Sequence, residues 1–205
     1  MPTLVYLIRH GATELSAEDR FSGSSDPPLS EHGQLQARAA AMRLVQVNLA
    51  AVYCSPLKRA LQTAQAIGSL HKLKPIAMDG LREIDHGRWE GLTQSEVKQR
   101  FGDEHARWSD DPFTFAPVGG ETGLSVLNRA MPALREVLAK HADQTVAVVS
   151  HKATIRLLAA ALLGVDPRRY RDRFALELTA ISLMSFETFD RPRTLLWNQT
   201  DHLGE

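Results

Sequence analysis

Short apolar runs alternate along the chain with longer stretches in which apolar residues recur every three or four positions. Leu4-Val5-Tyr6-Leu7-Ile8 reads as a buried strand that stops at the charged pair Arg9-His10. Ala12 to Leu29 is rich in Ser, Gly, Asp and Pro and reads as a loop. Ser30 is placed to cap the next helix, with Glu31 in its first turn and Leu35, Ala39, Met42 and Val45 following at helical spacing. Ala51 to Cys54 predicts a second strand. Ser55-Pro56 predicts the cap and first-turn proline of a helix through about Ser69. Pro75 to Met78 predicts a third strand. Thr93-x-x-Glu96 is a capping box for a helix from about Gln94 to Phe101. Leu124 to His141 is helical in pattern, with Pro132 inside it as a source of a kink or split. Val146 to Val149 predicts a fourth strand, and Ala153 to Leu163 an apolar helix closed by Gly164. Ala180 to Phe186 and Leu195 to Trp197 predict two late strands.

The predicted strands alternate with helices, and most are continuous apolar runs rather than alternating patterns. That favours a mostly parallel sheet covered on both faces, a three-layer α/β/α architecture. The expected organisation is a single domain over residues 1–205. The irregular stretch at about 81–120 forms an excursion over one end of the sheet.

Composition narrows the function classes. A chain of 205 residues suits one large domain or one domain with an inserted cap. Lys plus Arg and Asp plus Glu both number 24, so no global charge draws the chain to nucleic acid or an anionic membrane. The longest apolar run, Leu157 to Leu163, is far below the roughly 18 residues of a membrane span. Cys54 is the one cysteine, which excludes an intramolecular disulfide and a cysteine-rich metal cluster. It reads as a packed hydrophobe in a cytoplasmic protein.

The strand ends carry the candidate chemistry. In an open α/β sheet, ligands bind beyond the carboxyl ends of the strands. The first strand ends at Arg9-His10-Gly11. The second leads through Ser55 to Lys58 and Arg59, and the fourth ends at Ser150-His151-Lys152. Glu83 follows the third strand closely. Arginine gives paired, planar hydrogen bonds suited to phosphate oxygens. Neutral histidine can attack through one ring nitrogen when the other is held as N–H. A carboxyl group can protonate a leaving oxygen and then deprotonate water. A phosphate-handling site without metal or other cofactor follows, and small anions fit it better than polyanions.

These residues also resemble a known family. Leu7 to Thr13, with Arg9-His10-Gly11 at its centre, is similar to the signature of the histidine phosphatase superfamily in its phosphoglycerate-mutase-like branch. Arg20-Phe21-Ser22-Gly23, Asp26 to Gly33, Cys54 to Ala64, Arg82 to Thr93, Gly119-Gly120-Glu121 and Val149-Ser150-His151 resemble its later segments in order. The resemblance implies a phosphoglycerate-mutase-like fold. It makes His10 the phosphorylated nucleophile and Glu83 the proton donor and acceptor. Arg9, Arg59 and His151 become ligands of the transferred phosphoryl group. Ser22 and Gly23 stand where the family's loop contacts phosphate through its backbone. Ser16 stands where many members carry an asparagine. Lys152-Ala153 departs from the Gly-rich pair common after the second histidine, and Lys152 would add a cation to the substrate rim.

The implied activity is a metal-independent phosphomonoesterase that acts on a small phosphorylated metabolite through phosphohistidine. Two alternatives share the pocket: a phosphoglycerate mutase and a non-enzymatic phosphate-binding module. Asp85 to Thr93 resembles the phosphatase members. The arginine pair expected of mutases is not found, since Phe101 to Pro117 contains only Arg107. Trp89 reads equally as pocket wall or core. His32, His71, His105, His141 and His202 read as surface residues. The late strands leave a homodimer open.

Overall fold

The computed structural model describes residues 1–204, apart from the side chain of Ala17. Six strands form one sheet: β1 (Thr3–Arg9), β2 (Ala51–Cys54), β3 (Ile76–Ala77), β4 (Thr145–Ser150), β5 (Ile181–Phe186) and β6 (Pro192–Gln199), in the order β3-β2-β4-β1-β5-β6. β1, β2, β3 and β4 run parallel, and β5 lies antiparallel to both β1 and β6. Eight helices accompany them: α1 (Glu14–Ala17), α2 (Glu31–Leu44), α3 (Lys58–His71), α4 (Gln94–Arg100), α5 (Gly102–Asp110), α6 (Gly123–Lys140), α7 (Lys152–Leu162) and α8 (Tyr170–Arg173).

The three layers follow from the alternation of side chains along each strand. Val5, Leu7, Tyr53, Val146 and Val148 turn to one face and pack with α6 and α7. Ile8, Val52, Ala147 and Val149 turn to the other and pack with α2 and α3. A smaller cluster of Phe21, Trp89, Val97 and Trp108 lies within the excursion and the loop after β1. Trp89 is fully buried there, and its indole N–H donates to Glu104 at 2.9 Å. It is core, whereas Trp108 lines the cleft. Among the described residues, no helix is long and apolar enough to cross a membrane. Glu205, the end of the expected domain, lies outside the described residues.

Several local expectations change. The buried face of α2 is Gln36, Ala37, Ala40, Ala41 and Leu44, while Leu35, Met42 and Val45 face solvent. Small side chains allow the closer approach of a helix to its neighbours, so the alanine stripe faces inward. α3 begins at Lys58 with Leu57 as its cap. Ser55 Oγ instead accepts from the Leu57 amide before the helix starts. Pro132 sits inside a continuous α6, with no break into two helices. The Thr93–Glu96 capping box and the Ser30 cap are both formed. The short helices α1, α5 and α8 fall where the pattern predicts loop or nothing, because four to nine residues give too few turns for an apolar stripe to declare itself. The histidines read as surface are mixed. His32 is exposed, but His141 is half-buried and shares a 2.9 Å hydrogen bond with the Tyr53 hydroxyl.

Candidate active site

The parallel pairing of β1, β4 and β2 brings three sequence-distant segments to one edge. Arg9 pairs in register with Ser150, and Cys54 with Val149. The ladder runs one step further, with the His10 amide donating to Ser150 O and the Ser55 amide to Val149 O. His10 and His151 are therefore neighbours, with ring centroids 5.0 Å apart. Arg59, in the first turn of α3, reaches the same place. Glycine is required beside them. A Cβ on Gly11 would lie 2.5 Å from the Gly33 carbonyl oxygen, where α2 abuts the loop after β1.

The resulting cleft encloses about 410 Å³ and is lined by Arg9, His10, Arg59 and Glu83 among others. His10 is 6% exposed. Its Nδ1 lies 2.8 Å from the Gly11 carbonyl oxygen, which only accepts, so Nδ1 carries the proton and Nε2 the free lone pair. Burial, and then the Arg59 and Arg9 guanidinium groups, hold its pKa well below the ordinary histidine value. His151 is fully buried, and neither of its ring nitrogens has a hydrogen-bond partner among the described residues. Burial first, then Arg59 and His10, also push its pKa well down.

The two guanidinium groups are fixed by backbone carbonyls. Arg9 donates to Leu176 O at 2.8 Å, and burial lowers its pKa to about 10, so it stays charged at neutral pH. Arg59 donates to Ser25 O, Ser22 O and Gly23 O. Both leave a buried Nε without a partner. A buried donor without a partner costs about 1–3 kcal/mol, so the floor is strongly biased toward an anion that supplies acceptors.

Glu83 approaches from the excursion. Its carboxylate accepts from the amides of Ile84, Ala153 and Thr154 and from the Thr154 hydroxyl. It therefore caps the N-terminus of α7, whose own cap residue, His151, gives no side-chain hydrogen bond. This contact joins residues 70 positions apart. Arg129 braces the segment from behind by donating to Gly80 O, Arg82 O and Glu83 O and by pairing with Glu121 at 2.8 Å.

The structure brings His10, Arg9, Arg59, His151 and Glu83 together, with Ser16, Ser22 and Lys152 also on the cleft. Ser16 has its hydroxyl engaged in the α1 cap, donating to Thr13 O. Gly23 departs from expectation. Its amide donates to Glu90 and its carbonyl accepts from Arg59, so it scaffolds the loop and does not line the cleft. Glu90 also takes the Ser24, Ser25 and His86 amides and the Ser25 hydroxyl. Burial alone would raise its pKa, but these donors hold it below the usual carboxylate range. Lys152 opens α7 in ordinary helical conformation, so its difference from glycine imposes no backbone strain.

The chain matches the model of the histidine phosphatase superfamily (branch 1) over residues 5–200. It belongs to that family. Phosphoserine phosphatase 1 of Hydrogenobacter thermophilus is 38% identical over 200 residues, covering 97% of this chain and 93% of that protein. The solved structure of Bacillus stearothermophilus YhfR superposes with a TM-score of 0.92 at 29% identity, over 98% of this chain and 99% of that one. A mycobacterial glucosyl-3-phosphoglycerate phosphatase complexed with VO3 gives a TM-score of 0.88 at 29% identity, over 96% and 99% of the two chains.

This histidine phosphatase also has cleft residues that the sequence did not single out: Arg156, Tyr170, Arg171 and Trp108. Arg156 had a usable signal, since it lies four residues after Lys152 and thus on the same face of α7. Arg171 had none. The chain between Gly164 and Leu178 shows no periodicity, and only the fold turns α8 toward the cleft.

Proposed function

We propose that this histidine phosphatase releases phosphate from small phosphorylated metabolites in two steps at His10. The observation that carries the reading is the His10 ring. It is neutral and oriented by Gly11 O, and it shares the cleft with Arg9 and Arg59, each of which has a buried Nε without a partner. The Nε2 lone pair attacks phosphorus as the P–O ester bond breaks. The bond's electrons stay with the leaving oxygen, which takes a proton from the carboxylic acid form of Glu83 and leaves its carboxylate. Glu83 then accepts a proton from water as the water oxygen attacks phosphohistidine. The P–N bond breaks, and inorganic phosphate leaves a neutral His10. Arg9, Arg59 and His151 face the phosphoryl oxygens throughout, where fixed donors oppose the charge that develops.

A screen of phosphate release across metabolite monoesters, ranked by kcat/KM, tests the reading. Phosphoserine and glucosyl-3-phosphoglycerate, named for the two phosphatases above, are the first compounds to include. Acid-labile phosphate on wild-type protein, absent from His10→Ala, is expected after rapid quench with a good substrate. Failure to release phosphate from any monoester would overturn the proposal.

The neutral composition favours small substrates over nucleic acid or membranes. The single buried thiol of Cys54, its pKa raised to about 12 by burial, suits a reducing cytoplasm. β6 ends the sheet with one neighbour only, which gives a homodimer a strand edge to pair through.

A further inference from the structure

Six cationic and three acidic residues line the cleft. Arg9 and Arg59 are accounted for by the phosphoryl group, and Arg20 by Glu18 and Glu96. Lys152, Arg156 and Arg171 remain. Among the described residues, none of their side chains forms a hydrogen bond or ion pair, and Arg156 Nε is buried without a partner. The Arg171 guanidinium carbon lies over the Trp108 ring, 3.8 Å from its centroid. A cation–π contact holds the group in place without using its N–H donors in a hydrogen bond. Lys152 and Arg156 stand one turn apart on α7, and Tyr170 and Arg171 close the same wall from α8.

The three charges also feel one another. Burial and then Arg9 and Arg156 lower the pKa of Lys152. Burial is the main cause for Arg156 as well, with Arg171 adding to it. Like charges side by side without an ion pair cost stability, most of all at the half-buried Arg156 and Arg171. Asp172 opposes the charge of Arg171, Glu83 and Glu177 that of Arg156, and Glu177 and Asp19 that of Lys152, but only at a distance. The ion pair of Asp172 is with Arg169 at 3.9 Å, and Glu83 accepts from the first amides of α7. Asp19, the third acid of the lining, forms no ion pair with these cations.

We propose that Arg156 and Arg171, with Lys152 at the rim, form a second anion subsite, so that the substrate is a phosphomonoester bearing a further carboxylate or phosphate. The inference rests on the phosphatase reading and narrows its substrate class. The ester phosphate occupies the floor, and the second anion meets the guanidinium edges along the wall.

Matched substrates test it. Phosphoserine and phosphoethanolamine differ by one carboxylate, and fructose bisphosphate and fructose monophosphate by one phosphate. The first pair reads a carboxylate and the second a phosphate. In at least one pair, wild-type kcat/KM is expected to favour the doubly anionic member by about tenfold or more. The double variant Arg156→Gln/Arg171→Gln brings that ratio to about one. Arg168→Gln, whose side chain pairs with Asp166 outside the cleft, leaves it intact. Ratios near one in both pairs for the wild type, or a ratio that survives the double variant, would overturn the subsite.

Calorimetric binding of the same pairs to His10→Ala keeps the subsite separate from the chemistry. A preserved preference there, with no phosphate release from the wild type on any compound including p-nitrophenyl phosphate, would sink the hydrolytic reading and leave the subsite standing. Should the double variant fail to fold, Lys152→Gln at its exposed helix position lowers the preferred pair's ratio by about threefold. An unchanged ratio in that variant counts against the proposal.

Discussion

At the floor of the cleft, Arg9 ends β1, His10 and His151 directly follow β1 and β4, Arg59 stands in the first turn of α3, and backbone carbonyls hold both guanidiniums in place. Along the wall, Lys152, Arg156 and Arg171 stand on helices and no protein group holds them by hydrogen bond or ion pair among the described residues. The floor is preorganised, which suits a transferred group that is the same for every phosphomonoester. The wall waits for its ligand, which suits the part of a substrate that differs from one compound to the next. Rigid donors aimed at developing charge lower a barrier because nothing has to reorganise as the charge forms. Unpaired cations at a rim select which anion enters.

The floor can be broken most severely at His10. His10→Ala is expected to lower phosphate release by about four orders of magnitude or more while circular dichroism and thermal melting stay close to wild type. Activity near the wild-type level would show that the floor is not the chemical centre.

Glu83 separates acid catalysis from positioning. Glu83→Gln should slow alkyl phosphates by about 10²–10⁴ and p-nitrophenyl phosphate far less, since p-nitrophenolate leaves without a proton. Equal losses on both would remove the proton-donor role. The same variant weakens the α7 cap and should cost about 1 kcal/mol in denaturant unfolding.

Arg59→Lys tests whether the floor needs fork geometry as well as charge. Lysine cannot reach the Ser22, Gly23 and Ser25 carbonyls and a phosphoryl oxygen at once. A loss of about 10²–10³ in kcat is expected.

Glu90→Gln acts one layer further out. It loosens the loop whose carbonyls hold Arg59. It should lower stability by about 1–3 kcal/mol, with a smaller loss of kcat than Arg59→Lys. A kcat loss as large as that of Arg59→Lys would mean that Glu90 meets the substrate itself.

Stability near neutral pH is affected least, and the effect grows as the pH falls. His10, His86 and His151 all have folded pKa values below the ordinary value, chiefly through burial. Below about pH 6.5 the unfolded chain therefore binds protons that the folded chain refuses. Stability is full above that pH and falls as the pH drops through the window below it, by up to about 1.4 kcal/mol per pH unit for each histidine. Denaturant unfolding at several pH values should show a shallower slope for His151→Asn than for wild type. Inorganic phosphate should offset the loss, because it gives a protonated ring a partner.

The convergence of Arg9, His10, Arg59 and His151 on one cleft was legible because each is tied to a sequence-local event. Arg9-His10 and Ser150-His151 end apolar runs, and Arg59 follows one closely. The capping box at Thr93 and the cap at Ser30 were legible for the same reason, since a cap and its partner amide lie within three residues. The inward face of α2 was not. Its spacing pointed to Leu35, Ala39, Met42 and Val45, and the choice of the other face rested on how closely α2 can approach its neighbours. The partner of the Gly23 amide was not legible either, because Glu90 lies 67 residues away.

By itself, then, the sequence determined the strands along the chain, the charged groups that the fold gathers in the cleft, and the family to which the chain belongs. Hydrophobic runs and charged strand ends are local patterns, and a parallel sheet gathers strand ends on one edge whatever the helices do. The tertiary structure alone decided that Glu83 seats on the first turn of α7, that Glu90 and Arg129 brace the two segments flanking the cleft, and that Arg171 joins Lys152 and Arg156 along one wall. Those contacts close between residues brought together only by folding, and their free energy depends on burial and on partners that no local window contains.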